Sequence, residues 1–291
     1  MAVYITAKIF LLCSALCSSV KCQPFLFLRE HAGLTEIPTD IPLDVRAIIL
    51  SQNLITNIGP KAFSKFKSLI ALSIESNNIN VIHDDAFDGL TNLTSLQLSN
   101  NKLDRVPKLK YLELEHLSLY GNNIQLYHNS FEDVTVNELL LHSNKITNLS
   151  PIMELSESLE IVRVRSNPLG NSSSADLYNL MQSLTKSRRI ILSSCGLTTF
   201  PDVSLLNYSD VFQLFIANNP FECDARIAWL KDTPIDVRDY TSIRCASPSR
   251  HLGKLLHDIP LEELYPGKFL IKKGQRFFKI SNWIASSSLI D

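Results

Sequence analysis

Histidine, cysteine, serine and carboxylate side chains could build a hydrolytic, nucleophilic or metal centre in this chain only if their spacing made them converge. It does not. The seven histidines among 291 residues are scattered, and the sequence holds no H-x-x-x-H, C-x-x-C, glycine-rich phosphate loop or G-x-S-x-G element. His116 and His142 lack the partners a shared metal needs and read as surface contact residues. Catalytic residues, metal ligands and cofactors are therefore not expected. The chemistry that remains is non-covalent recognition, by Tyr120, His142, Arg163 and Arg165 together with Leu140, Ile161 and Phe215 and the pair Arg188 and Arg189. Aromatic residues and arginine are the types enriched at binding hot spots.

What must position these residues is a repeat. The segment Leu93 to Val106, L-T-S-L-Q-L-S-N-N-K-L-D-R-V, matches the leucine-rich-repeat template L-x-x-L-x-L-x-x-N-x-L at Leu93, Leu96, Leu98, Asn101 and Leu103. Its L-x-L core reads as a short strand with inward leucines, and its asparagine as the group that satisfies the backbone where the chain bends away. Eight frames begin at Val45, Leu69, Leu93, Leu114, Val136, Leu159, Ser187 and Val211, spaced 21 to 28 residues apart. Positions 4 and 6 are apolar in every frame, and position 9 is asparagine in every frame but the seventh, where Cys195 stands. One such coil cannot bury its own apolar face, so the copies must stack. The expected fold is an α/β solenoid: a leucine-rich-repeat horseshoe with a parallel concave β-sheet, a mostly irregular convex side, and a cap at each end. The expected division is an N-terminal cap over 23–44, about eight coils over 45–218, a C-terminal cap over 219–265 and a basic aromatic tail over 266–291.

On the convex side Phe63, Phe87 and Phe131 recur as an aromatic spine. Leu177, Leu180, Met181 and Leu184 recur at i, i+3, i+4 and i+7, which predicts one helix. Cys195, standing in the asparagine column, reads as a buried structural thiol that resists alkylation until the protein unfolds.

Side chains alternate along a strand, so positions 2, 3, 5 and 7 point out of the concave sheet and are free to store specificity. Through the first three coils these positions are small and polar. From the fourth coil onward they carry Tyr120, Leu140, His142, Arg163 and Arg165, joined by Ile161, Arg188, Arg189, Phe212 and Phe215. Strands about 4.8 Å apart would make this one contiguous patch. It reads as a surface for an extracellular protein or an acidic glycan; the alternative is an ordinary solvated face on which Glu138 and Glu160 offset part of the charge. Reversing Arg163 and Arg165 to glutamate is expected to abolish capture without changing the melting temperature.

The ends and the charge set the context. Lys8, an apolar run from Ile9 to Cys17 and the small residues Ser18 and Ser19 have the layout of a secretory signal peptide, assigned to 1–22, with cleavage after Cys17, Ser19 or Cys22 left open. The run is too short to cross a bilayer of roughly 30 Å, and no later segment has 18 uninterrupted apolar residues, so a soluble secreted protein without a transmembrane span is expected. Twenty-eight basic residues against 29 acidic ones exclude a nucleic-acid binder that must neutralise many phosphates. Four N-x-S/T sequons, at Asn92, Asn148, Asn171 and Asn207, fit secretion and glycosylation. The tail from Lys268 to Ile290 mixes five lysines and arginines with Phe269, Phe277, Phe278 and Trp283 and has no acid. Either residues 268–283 contact heparin or an anionic membrane surface, or the tail completes the cap.

After the last coil, N-P-F-E-C-D-A-R-I-A-W-L from Asn219 and C-A-S-P-S-R-H-L-G-K-L-L-H-D-I-P-L-E-E-L from Cys245 resemble the cysteine-flanked C-terminal cap of secreted and cell-surface leucine-rich-repeat proteins. That group includes matrix proteoglycans, axon-guidance proteins and receptor ectodomains. The resemblance spans roughly residues 33 to 265 and, with the I-A-W-L cap, extends to arthropod secreted proteins. The family's cap carries four cysteines paired first to third and second to fourth. Here the second falls on Ala225 and the fourth on about Tyr265, so the resemblance implies one disulfide, Cys223 to Cys245. It also implies a secreted, non-enzymatic recognition or adhesion protein. The alternatives are a non-catalytic accessory subunit that scaffolds a secreted enzyme, and a soluble relative of a receptor ectodomain.

Overall fold

A computed structural model describes residues 25–265 and the backbone of an antiparallel pair, Leu270–Lys273 with Arg276–Lys279. The signal-peptide assignment and the side chains of the basic aromatic tail lie outside the described residues. The fold is built on one ten-stranded sheet whose strands follow the order of the sequence. They are Leu26–Leu28, Ala47–Ile49, Ala71–Ser73, Ser95–Gln97, Glu113–Ser118, Thr135–Leu140, Ile161–Arg163, Arg189–Ile191, Gln213–Phe215 and Asp236–Val237. Every pairing is parallel. A parallel neighbour needs a crossover, and the rest of each coil supplies it. This is the leucine-rich-repeat fold. Its middle eight strands come from the eight frames, and the chain on either side adds one strand to each end of the sheet.

The register is that of the repeat. Ile48, Leu72, Leu96, Leu117, Leu139, Val162, Ile190 and Leu214 pair in sequence from strand to strand, and none is more than 1 % exposed. Their stack is the spine of a single hydrophobic core that runs the length of the solenoid. Each coil is open at both ends, so burying this row requires the next coil, and stability grows by nearest-neighbour contact.

The asparagine column joins the coils through the backbone. Asn101 Nδ2 donates to Leu98 O of its own coil at 3.1 Å and to Ile74 O of the coil before at 3.0 Å, while its Oδ1 accepts the Ile79 N–H at 3.0 Å. Asn77, Asn122, Asn144 and Asn167 repeat the arrangement. One buried amide thus satisfies groups on two coils that no sheet ladder reaches. Cys195 keeps half of the bridge. Its Sγ lies 3.4 Å from Val164 O, the carbonyl that an asparagine would engage, but the sulfur, a weak acceptor, takes no N–H in return. The Leu169 N–H turns instead to the carbonyls of Asn167 and Cys195, both at 2.9 Å.

The eighth frame needs a correction. Val211, assigned there to the inward first position, is 63 % exposed, whereas Phe212, assigned to the outward surface, is 3 % exposed and belongs to the core. The displacement is confined to the first position, since Leu214 still pairs with Ile190, and the Phe212 ring is held inward against Tyr208, with centroids 3.9 Å apart. Both residues are apolar, so the pattern alone placed either one inward. In the seventh frame the polar first residue Ser187 is fully buried and donates to Leu159 O at 2.7 Å, which removes the cost of burying its hydroxyl.

The convex side carries a short 3-10 segment, Ser150–Leu155, and the helix Ser174–Ser183. The helix lies where the apolar spacing predicts it and begins at a capping box, with Ser173 accepting from the Asp176 N–H while the Asp176 carboxylate accepts from the Ser173 N–H. Leu177, Leu180 and Met181 point into the core. The aromatic spine is shorter than expected: Phe63 and Phe87 stack at 6.0 Å between centroids. Phe131 is buried two coils farther on and joins no ring stack among the described residues, because the intervening 21-residue coil contains no phenylalanine.

Candidate recognition surface on the concave sheet

The outward rows of the sheet change character along the stack. In the first coils Ser51, Ser73, Ser95, Gln97 and Ser99 are themselves buried, and neighbouring hydroxyls bond to one another, as in the 2.9 Å contact between Ser51 Oγ and Ser73 Oγ. Small side chains on a curved sheet shadow each other and leave little to grip. From the fourth coil large side chains appear among them.

Tyr120 and His142, both at position 7, stack at 4.4 Å between centroids with an 8° angle between the rings. This corrects the reading of His142 as a surface contact residue, since stacking leaves it only 8 % exposed. Its Nδ1 is buried without a hydrogen-bond partner. Burial, and then the nearby Arg165 and Arg163, push its pKa down to about 4, so the ring is neutral at ordinary pH. Leu140 is a second correction. It was expected to add exposed apolar area but is 7 % exposed, because the register seats it between Ser118 and Arg163 beside the aromatic stack.

Most of the arginines are already held. Arg163 Nη2 donates to Glu138 Oε1 at 3.0 Å, and His116 Nδ1 lies 2.9 Å from the other oxygen of the same carboxylate. The His116 hydrogen bond first, and then the Arg163 charge, hold the Glu138 carboxyl below its usual range against the opposing effect of burial. Arg188 lies 3.6 Å from Glu160. Arg189 clasps Gln213 Oε1 through Nε and Nη2, at 3.0 and 2.8 Å. Arg165 is exposed and, among the described residues, makes no ion pair. Two residues back along the strand, Arg163, Ile191 and Phe215 lie in direct register across three strands, and Ile161, Ile191 and Phe215 are partly exposed. Ile191 was absent from the sequence-based set, although its frame position marks it as outward.

The remaining assigned residues lie off this sheet. Cys223 and Cys245 form a disulfide with Cα atoms 5.5 Å apart, where the short strands Phe221–Glu222 and Cys245–Ser247 pair. Asn92, Asn148, Asn171 and Asn207 are all exposed. Asn148 and Asn171 occupy the same position in adjacent coils and line one crevice of about 160 Å³ beside the convex helix. Among the described residues there is no cluster of three or more potential metal-ligating side chains. Among them, too, no helix is long and apolar enough to cross a membrane.

Comparison with known proteins agrees with this geometry. The Leucine rich repeat family matches residues 44–103. Trophoblast glycoprotein of Macaca fascicularis is 25 % identical over 287 residues, covering 87 % of this chain and 66 % of that protein. Keratocan of Gallus gallus is 30 % identical over 128 residues, covering 43 % and 33 %. Human Leucine-rich repeat-containing protein 3B is 33 % identical over 95 residues, covering 32 % and 37 %. The chain thus spans between a third and two thirds of the length of these relatives. Among solved structures, human trophoblast glycoprotein superposes with a TM-score of 0.60 at 21 % identity, covering 80 % of this chain and 91 % of that one. A chain of the octameric complex of latrophilin 3, Unc5D and FLRT2 superposes with a TM-score of 0.58 at 22 % identity, covering 78 % of each; both structures speak to the fold alone. The chain has the leucine-rich-repeat fold and is related to extracellular, non-enzymatic leucine-rich-repeat proteins.

Proposed function

We propose that the chain is a secreted, non-enzymatic recognition protein that binds an extracellular partner through the concave face of its fourth to eighth coils. The observation that carries this reading is the change along the sheet. The first three coils present mainly small, buried residues, among them Ser51, Ser73, Ser95, Gln97 and Ser99, whereas the later coils present an aromatic stack, an arginine without an ion pair among the described residues and partly exposed Ile161, Ile191 and Phe215. Exposed apolar area next to charge, on a rigid sheet, is the composition of a binding surface. The FLRT2 leucine-rich-repeat component, present in an octameric complex with two other proteins, is an example of the fold in an assembly.

The cysteine-flanked cap belongs to the same reading. The Cys223–Cys245 bridge requires an oxidising compartment. Glycans on Asn92, Asn148, Asn171 and Asn207 would leave the sheet uncovered, since none of the four lies on one of its strands.

The test is a binding screen of the secreted chain against a panel of purified extracellular domains, repeated with an Ile191→Asp/Phe215→Asp variant of unchanged melting temperature. At least one interaction should be lost in the variant. If every interaction survives it, the concave face is not the binding surface.

A further inference from the structure

A sulfated or carboxylated glycan is a polyanion, and a surface built for it offers several uncompensated cations at once. This face does not. Arg163 is held by Glu138, Arg189 by Gln213 and Arg188 by Glu160, and a guanidinium already engaged has less to offer an incoming anion. Arg165 is the exception among these four. It stands exposed at the same frame position as His142, one strand from the Tyr120–His142 stack, and two residues along its strand from Arg163, whose register row continues through Ile191 to Phe215. Beside it, His142 Nδ1 and Arg163 Nε are buried without partners, so unmet hydrogen-bonding capacity collects in this neighbourhood.

Resting on the concave-face reading above, we infer that the partner is a protein segment that presents one carboxylate side chain to Arg165 and an apolar side chain to Ile191 and Phe215. A polyanionic glycan is not the ligand of this face. Ile191 and Phe215 lie one and two strand spacings of about 4.8 Å across the sheet and two residues, about 6.6 Å, back along the strand, which puts them roughly 8 and 12 Å from Arg165. An extended segment advances about 3.3 Å per residue, so the two recognised side chains stand about two to four residues apart.

The experiment selects a phage-displayed random peptide library against the full secreted chain and against Arg165→Glu, with retention on immobilised heparin measured in parallel. Peptides enriched on the wild type should carry one aspartate or glutamate about two to four residues from a large apolar residue. They should bind Arg165→Glu at least tenfold more weakly, and the small heparin retention should not change between the two proteins. Enrichment of polyacidic peptides with no apolar requirement, or heparin retention lost in Arg165→Glu, would overturn the inference.

Ile191→Asp/Phe215→Asp separates the two levels of the argument. Peptides insensitive to Arg165→Glu but lost in that variant retain the concave face and refute the carboxylate anchor. Peptides insensitive to both, or no enrichment on the wild type, count against both.

Discussion

The rings of Tyr120 and His142 lie 4.4 Å apart and within 8° of parallel, which joins the fourth and fifth coils across the face that carries Arg165. The stack also fixes a pH dependence. His142 is depressed to about 4 in the folded chain by burial and by the neighbouring arginines, against about 6.5 when unfolded. Between these values the unfolded chain takes up a proton that the folded chain refuses. Stability is therefore lost as pH falls from about 6.5 and levels off below about 4. The whole shift corresponds to about 3 kcal/mol, reduced to roughly 1–2 kcal/mol by solvent at the ring edge. His142→Phe keeps the stack and removes the titration. Between pH 7 and 4.5 its melting temperature should fall less than that of the wild type by roughly 3–6 °C, and equal falls would refute the assignment.

Arg163 and Arg165 should behave differently although they stand two residues apart. Arg163→Glu places a second carboxylate against Glu138, which is only 21 % exposed, and should cost about 1–2 kcal/mol. Arg165→Glu breaks no ion pair and should stay within about 0.5 kcal/mol of the wild type. This revises the expectation that reversing both arginines leaves the melting temperature unchanged. Denaturant titration of each single variant checks it.

The displacement in the eighth coil is open to a direct comparison. Phe212→Ala removes a buried ring stacked on Tyr208 and should cost about 3–4 kcal/mol. Val211→Lys alters a residue 63 % exposed and should be close to neutral. Chemical denaturation that ranked the two the other way would restore Val211 to the inward position.

Cys195 should be unreactive in the native protein. It is a free cysteine, 1 % exposed, and burial pushes its thiol up to about 11, which keeps it protonated at neutral pH. Iodoacetamide at pH 8 should leave it unmodified until guanidinium is added, as read by intact mass. Rapid native labelling would contradict its place in the asparagine column.

The repeat made the fold legible because two periodic signals, paired apolar residues and a bend asparagine, coincide in coil after coil. The displacement at Phe212 escaped because neighbouring apolar residues compete for one inward position, and the Tyr208 stack that holds Phe212 inward lies outside the pattern. The outward rows were legible as positions but not as exposures. Leu140 is buried by what flanks it on the adjacent strands, which no single frame contains. The pairing of Arg189 with Gln213 was within reach, since both hold position 3 of adjacent coils and the register sets them side by side. Arg163 and Glu138 meet diagonally, between positions 5 and 3, and that contact required coordinates.

The concave face of the later coils is the proposed recognition surface, and hydroxyl-radical footprinting with mass spectrometry, on the free chain and on its complex with a selected peptide or partner domain, reads its occupancy residue by residue. Tyr120, Ile191 and Phe215 should lose reactivity on binding. Tyr111 and Tyr127, which are 77 % and 58 % exposed and lie outside the strands of the concave sheet, should keep theirs. Protection of Tyr111 and Tyr127 with unchanged oxidation of Ile191 and Phe215 would contradict it.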